Sequence, residues 1–287
     1  MTQMDIGAHT QFCGVIGNPV EHSLSPAIHN AAFQALGVNC VYLAWKVEVI
    51  GDAIRGLRAL GNFRGASVTI PHKVAAVPFL DDLEPTARQI GAINTIVAEK
   101  GRLIGYNTDA TGALRALREG GVSLAGRRIV MLGSGGAARA IAFALAAESG
   151  ADKLTLLGVD NNERMALASD LRSKTDVAIE DACLDDSTLG RTVPEAQILI
   201  HCTPVGMSPK ADATCVPASL LHPGLAVMDI VYNPRTTRLL MEAKRAGCKT
   251  VPGLEMFLNQ AVTQFELWTN RPAPVDVMRG VLESRFQ

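Results

Sequence analysis

RRIVMLGSGGAARA, residues 127–140, decides how the rest of this chain is read. Ile129 to Leu132 is a short apolar run, Gly133, Gly135 and Gly136 break it, and an alanine-rich run continues to about Ala147. That order predicts a strand, a tight turn and a helix. Glycine at 133 permits the turn, Gly135 lets the backbone approach a pyrophosphate, and Ala138 sits where a third glycine usually packs helix against strand. The first N–H groups of such a helix, with its positive dipole end, suit phosphates. A second predicted strand, Leu154–Val159, ends at an acid, Asp160. The same glycines also serve as a packing turn in parallel α/β proteins. The strand before, the helix after and the acid beyond favour a dinucleotide site.

The totals bound the rest. A chain of 287 residues, 48% hydrophobic and 19% charged, has a globular composition and room for two domains. Lys plus Arg number 27 against 28 acids, so a net charge of −1 recruits neither nucleic acid nor an anionic membrane. No run approaches the ~18 apolar residues of a membrane span, and the start, MTQMDIGAHT, lacks the layout of a signal peptide. The six cysteines are scattered without a CxxC pair, which argues against metal ligation and disulfides and for a reducing, cytoplasmic home.

Before the glycine turn, the pattern predicts strands at Gln11–Gly17, Cys40–Val47 and Gly65–Ile70, with helices after Ser25-Pro26 and over Ile50–Leu60. Ser25 stands where an N-cap belongs, and Ser23 and Ser25 read equally as loop and cap or as hydroxyls facing a polyhydroxylated ligand. Alternating strands and helices argue a parallel sheet with right-handed crossovers. Lys73 then follows the carboxyl end of a strand, where open α/β sheets place ligands. Asp82–Ile90 reads as a helix interrupted early by Pro85. Ile93–Ala98 and Leu103–Tyr106 read as a hairpin. Asp109 falls near the start of a helix over Ala110–Glu119, as an N-cap or first-turn acid on its own evidence.

After the turn, further strands are predicted at Val177–Ile179, Ala196–His201, Leu225–Val231 and Cys248–Val251, completing six, as two mononucleotide-binding halves require. CTPVGM (202–207) and YNP (232–234) follow the fourth and fifth of these. Helices are predicted through about Thr269 and over Pro274–Ser284. Gln260 is an odd amide on an apolar stripe.

These pieces together resemble the shikimate/quinate dehydrogenase family. The resemblance rests on GNPVEHSLSP (17–26), SVTIPHK (67–73), GAINT (91–95), GYNTD (105–109), GSGGA (133–137), TPVGM (203–207), VYNP (231–234) and GLEMFLNQA (253–261), in that order over nearly the whole chain. It implies an α/β fold of two domains. One is an N-terminal parallel-sheet substrate domain over 1–108, to which helices in 254–287 return. The other is a Rossmann cofactor domain over 109–253, with the active site in the cleft between them. It implies that Lys73 and Asp109 are catalytic. It assigns Ser23, Ser25, Tyr42, Ser67, Thr69, Asn94, Tyr232 and Gln260 to the substrate. To the dinucleotide it assigns Gly133, Gly135, Gly136, Ala137, Asp160, Asn161, Thr203, Pro204, Val205, Ile230 and Gly253.

The expected activity is reversible oxidation of one ring hydroxyl of a polyol carboxylate, shikimate to 3-dehydroshikimate. Quinate or aminoshikimate oxidation is the alternative. A metabolite sensor and a structural cofactor-binding subunit are rivals of another class, opposed by the intact Lys73, Asp109 and glycine turn. Ser67 stands where shikimate-specific members usually carry Asn, and Leu24 where they tend to carry Lys, which resembles the broader branches. NADP-specific relatives read Asn-Arg-Thr after the second Rossmann strand, where this chain has Val159-Asp160-Asn161. Asp160 lies 24 residues beyond Gly136, close to the offset of about 20 for an acid on the adenosine ribose, so NAD is expected over NADP. No metal, nucleic acid or membrane partner is expected, and the chain is read as a monomer or homodimer.

Overall fold

The computed structural model describes residues 6–148 and 150–286. The chain divides into two compact units: one runs to Thr108 and resumes at Gln260, the other is Asp109–Asn259. No helix among the described residues is long and apolar enough to cross a membrane.

The first unit is built from β1 (Gln11–Gly17), α1 (Ser25–Ala35), β2 (Cys40–Lys46), α2 (Ile50–Arg58), β3 (Phe63–Val68), β4 (Asp82–Leu83), α3 (Pro85–Ile90), β5 (Thr95–Glu99) and β6 (Arg102–Tyr106). Its sheet has the order β2-β1-β3-β5-β6-β4. The three leading strands are parallel, and the hairpin β5–β6 joins them antiparallel through β3–β5. Ile16, Ile54, Phe63, Ile93 and Ile96 form its apolar core with Ala66 and Val68. The edge strand β2 is covered at one point: the Asn30 amide accepts from the Tyr42 N–H at 2.8 Å and donates to the Tyr42 carbonyl at 2.9 Å. This stand-in for a neighbouring strand both blunts the edge and fixes Tyr42.

Two expectations are corrected here. Asp82-Leu83 is a strand pairing with Ile104-Gly105, not the first turn of a helix. The helix waits until Pro85, because Glu84 caps it through the N–H groups of Thr86 and Ala87 at 3.0 and 3.2 Å. Ser25 is the first residue of α1 and not its cap. Leu24 takes the cap position without a side-chain bond, and Ser23 Oγ accepts from the Ser25 N–H at 3.3 Å.

The second unit begins with α4 (Thr108–Glu119), whose first residue still belongs to the first unit. It continues through β7 (Arg128–Leu132), α5 (Gly136–Glu148), β8 (Lys153–Gly158), α6 (Asn161–Lys174), β9 (Ala178–Cys183), α7 (Asp186–Thr192), β10 (Ile198–His201), β11 (Ala226–Asp229), α8 (Arg238–Arg245) and β12 (Lys249–Pro252). Its sheet, β12-β11-β10-β7-β8-β9, is parallel throughout. Covered on both faces, its central strands are continuous apolar runs; Ile129 to Leu132 are all buried. The order reverses at β7, so the β7–α5 turn sits at a topological switch point. β9 is longer than the expected Val177–Ile179, because Glu180 and Asp181 are strand residues on an exposed edge. There Asp181 pairs with Arg164 and Arg172 at 3.1 and 2.7 Å.

α9 (Gly253–Thr269) and α10 (Val275–Ser284) end the chain. The division between units falls inside α9, at Asn259/Gln260. From Gln260 onward α9 lies on the first sheet. Trp268 Nε1 donates to the Ile96 carbonyl at 3.0 Å, and a side chain at Gly65 would meet Trp268 Nε1 at 2.3 Å. Only glycine lets helix and strand come that close.

Candidate active site

In the first unit, the site residues gather around a chain of neutral hydrogen bonds. Tyr42 OH donates to Ser67 Oγ at 2.6 Å, and Ser67 donates to Gln264 Oε1 at 2.8 Å. Gln264 Nε2 donates to Thr95 Oγ1 at 2.9 Å and to the Asn94 carbonyl at 3.2 Å. Thr95 donates to Asn94 Oδ1 at 2.9 Å, and Asn94 Nδ2 donates to Thr108 Oγ1 at 3.0 Å. Asn94 Oδ1 also accepts from the Thr108 N–H at 2.7 Å, which anchors the residue covalently joined to Asp109. Each of these five side chains donates to a neighbour, as burial favours.

The chain changes how Ser67 is read. Its one proton is spent on Gln264 and one lone pair on Tyr42, so towards a ligand it can only accept. His29, fully buried, stacks on Tyr42 with ring centroids 4.6 Å apart and meets the Trp268 ring edge-on at 5.1 Å. Burial pulls its imidazole down to about 3 and keeps it neutral. Neither ring nitrogen has a hydrogen-bond partner among the described residues.

Lys73 is half-buried in the loop after β3, and its carbonyl accepts from the Ile93 N–H at 2.8 Å. Beside it His72 is buried with Nε2 2.8 Å from the Val47 carbonyl, which also pins the loop. Ser23 and Thr69 are half-buried, and Ser25 and Gln260 are buried. Thus Ser23, Ser25, Tyr42, Ser67, Thr69, Lys73, Asn94 and Gln260 all belong to one unit. Asp109 and Tyr232 belong to the other. Asp109 is a buried first-turn acid of α4, and Tyr232 packs on Phe257 at 4.5 Å between ring centroids.

The second unit supplies the glycine turn. Gly133 has φ +107°, a value side chains rarely adopt, and a Cβ there would meet the Cys202 carbonyl at 2.9 Å. At Gly135 a Cβ would meet nothing within 4 Å, so open space fronts the N-terminus of α5 at Gly136 and Ala137. Ala138 is buried against the sheet. Free helix N–H groups facing a cradle of this kind fit a dinucleotide pyrophosphate. Asp160 is exposed at the end of β8, where one carboxylate oxygen caps α6 by accepting from the Glu163 N–H at 3.0 Å. Asn161 Oδ1 accepts from Arg164 at 2.7 Å. Thr203, Pro204 and Val205 follow β10, and Ile230 follows β11. Gly253 opens α9 against the Ile230 carbonyl, where a Cβ would lie 2.5 Å away.

Sequence reading missed Gln264 and the pair His201–Asp229. Gln264 had a signal: it stands four residues after Gln260 on the same, largely apolar stripe of its helix. His201 and Asp229 are register partners on adjacent strands, a juxtaposition the linear sequence does not carry. Among the described residues no group of three or more His, Cys, Asp or Glu is placed to hold a metal ion.

A family model described as the shikimate dehydrogenase substrate binding domain matches residues 15–96, and one described as the shikimate 5'-dehydrogenase C-terminal domain matches 253–283. The shikimate dehydrogenase (NADP(+)) of Moorella thermoacetica is 46% identical over 97% of this chain and 95% of its own length. That of Methanopyrus kandleri is 47% identical over 98% of each. Among solved structures, the shikimate 5-dehydrogenase of Listeria monocytogenes, in complex with shikimate and NAD, superposes with a TM-score of 0.89 at 38% identity over 98% of this chain and 99% of that one. Identity of this extent over nearly all of both chains leaves one conclusion: the chain belongs to the shikimate dehydrogenase family.

Proposed function

We propose that this protein interconverts shikimate and 3-dehydroshikimate with a nicotinamide dinucleotide. The first unit would hold the polyol carboxylate and the second the cofactor. The observation that carries the reading is Lys73, half-buried in the loop that leaves the carboxyl end of β3, five residues beyond Val68 and pinned by its neighbours. That is the right location for a proton carrier on a sheet-end ligand. A bound dinucleotide supplies the hydride acceptor. Lys73 takes the proton from the reacting hydroxyl during oxidation and returns it during reduction, and Asp109 hydrogen-bonds the same hydroxyl. A positioned acid/base contributes roughly 10²–10⁴ in rate. Ser23 and Ser25, near the N-terminus of α1, bind the carboxylate. Thr69, Asn94 and Gln260 bind hydroxyls, Ser67 serves as an acceptor, and Tyr42 and Tyr232 shape the site.

NAD is our reading of the preferred cofactor, although the curated relatives named above carry NADP(+) in their names. The support is electrostatic. A 2′-phosphate beside Asp160 would set like charges together, at about 4 kcal/mol for ~4 Å and an effective dielectric of ~20 before screening. Arg164, the nearest arginine, is buried and committed to Asp181, Asn161 and the Gly158 carbonyl. Turnover of shikimate, quinate and aminoshikimate with each cofactor, followed at the nicotinamide absorbance, tests both parts. Shikimate with NAD should give the highest kcat/KM. No turnover of any of the three would refute the activity, and a preference for NADP would refute the cofactor reading alone.

A further inference from the structure

We infer that His201 is a positioning residue for the dinucleotide loop, and that its protonation sets whether the Thr203 hydroxyl can donate a hydrogen bond to the bound dinucleotide. The inference rests on the cofactor-binding reading of the second unit and extends it to a residue in none of the recognised motifs.

His201 ends β10 and Asp229 ends β11, and both are almost wholly buried, at 1% and 0% exposure. His201 Nδ1 lies 2.9 Å from Asp229 Oδ1, and His201 Nε2 lies within hydrogen-bonding distance of Thr203 Oγ1. Thr203 Oγ1 also accepts from the Val205 N–H at 3.2 Å. Asp229 Oδ1 accepts from the Val231 N–H at 3.0 Å, and Oδ2 accepts from Thr237 Oγ1 at 2.6 Å, the residue that caps α8. One buried pair therefore ties together the 202–207 loop, the turn before Tyr232 and the start of α8.

The protons admit two states. As imidazolium, His201 donates through Nδ1 to Asp229 and through Nε2 to Thr203. Both lone pairs of Thr203 are then filled, by His201 and Val205, and its own proton must point to another acceptor. As neutral imidazole with Nδ1–H on Asp229, His201 presents a bare Nε2, and Thr203 donates back to it. The hydroxyl thus offers a ligand a donor in the first state and none in the second. The groups facing His201 are Asp229 from β11 and Cys215 from the segment before it. Cys202 adjoins it in sequence, and the charges of Asp229 and of Asp109 on α4 raise the Cys202 thiol, itself pushed up chiefly by burial. Burial opposes the charge on His201, but the hydrogen bond of Asp229, that of Cys215 and the charges of both outweigh it and hold the imidazole up to about 9. The donor state therefore holds near neutrality.

The test titrates NADH, by its fluorescence, into the full-length wild type, His201→Asn and Thr203→Val from about pH 7 to about pH 10, a range chosen to span the imidazolium loss. Wild type should bind roughly three- to tenfold more weakly at the alkaline end, the effect of one hydrogen bond, with a midpoint near 9. His201→Asn keeps an amide between Asp229 and Thr203 without titrating, so its affinity should stay flat over the same range. Thr203→Val should bind weakly throughout and also be flat. In parallel, NMR titration of the wild-type His201 imidazole, assigned by its loss in His201→Asn, should show its pKa rise when NADH is added, as linkage requires. If His201→Asn does not fold, Thr203→Val assigns the resonance by its shift and carries the affinity comparison. A flat wild-type profile, the same decline in His201→Asn, or an imidazole unmoved by NADH would overturn the inference while leaving the activity reading intact. Absence of NADH binding in the wild type at every pH would overturn the cofactor reading beneath it.

Discussion

The two units handle buried polarity in opposite ways. In the first, Tyr42, Ser67, Gln264, Thr95 and Asn94 pass hydrogen bonds along a neutral chain, and the buried histidine beside them, His29, is held uncharged. In the second, two charged pairs stand out: buried His201 against buried Asp229, and buried Arg164 against half-buried Asp181. A neutral chain can present hydroxyl and amide groups to a polyol with little desolvation cost. An ionic pair fixes loops tightly but demands an exact partner, since breaking one leaves a buried charge. The contrast also separates how each unit would bind: side chains in the first, backbone and a glycine cradle in the second.

The largest effect should come from removing the proposed proton carrier. Lys73→Ala and Asp109→Asn should each lower kcat by at least roughly a hundredfold, with the double variant little worse than the poorer single one. Steady-state kinetics with melting controls measure this, and full activity in Lys73→Ala would end the assignment.

A crossed pair of variants then separates the units. Gly133→Val forces a side chain into a left-handed backbone and against the Cys202 carbonyl, at a cost of about 1–3 kcal/mol or more. It should weaken NADH binding by roughly tenfold or more and leave shikimate affinity nearly unchanged. Gln264→Leu orphans the Ser67 proton and an acceptor at Thr95, about 1–3 kcal/mol each before relaxation. It should raise the shikimate KM about tenfold with a smaller change in kcat and in NADH affinity. Equal damage to both ligands by either variant would break the comparison.

The pH dependence of stability sharpens it. His29 is neutral when folded down to about 3, while the unfolded chain takes up that proton near 6.5. Stability must therefore fall as pH drops below 6.5, by up to about 1.4 kcal/mol per pH unit from this residue. His201 has the opposite sign. Its raised pKa adds stability that is full below 6.5 and is lost as pH rises through about 9. Denaturant midpoints across pH should show His29→Phe gaining on wild type in acid. They should show the deficit of His201→Asn shrinking towards pH 9. A pH-independent gap for either variant would remove that histidine from the account.

The smallest effect concerns the cofactor. Asp160→Ala should narrow the NAD-to-NADP ratio of kcat/KM several-fold, mainly by weakening NAD. Loss of its bond to the Glu163 N–H should cost about 1 kcal/mol of stability. An unchanged ratio would leave Asp160 a cap and nothing more.

Much of this was legible along the chain. The glycine turn, its flanking strand and helix, the six-strand Rossmann order and the position of Lys73 all depend on local patterns: apolar runs, glycine where φ is positive, and short spacings. Where reading failed, a nonlocal partner decided. Asp82-Leu83 became a strand because β6 lay beside it, and Glu180 and Asp181 became strand residues because arginines from α6 neutralise one of them. Ser67 is found on sequence as a departure from Asn, yet its limitation to accepting depends on Gln264, nearly two hundred residues away.

The sequence by itself determined the family, the two-part α/β organisation and the residue types available for proton transfer and phosphate binding, because those properties reside in short contiguous motifs. Only the tertiary structure decided which polar side chains are free to serve a ligand and which are consumed by one another. Hydrogen-bond capacity is finite, and how a hydroxyl or an imidazole spends it depends on neighbours that strand pairing and helix packing bring from far along the chain.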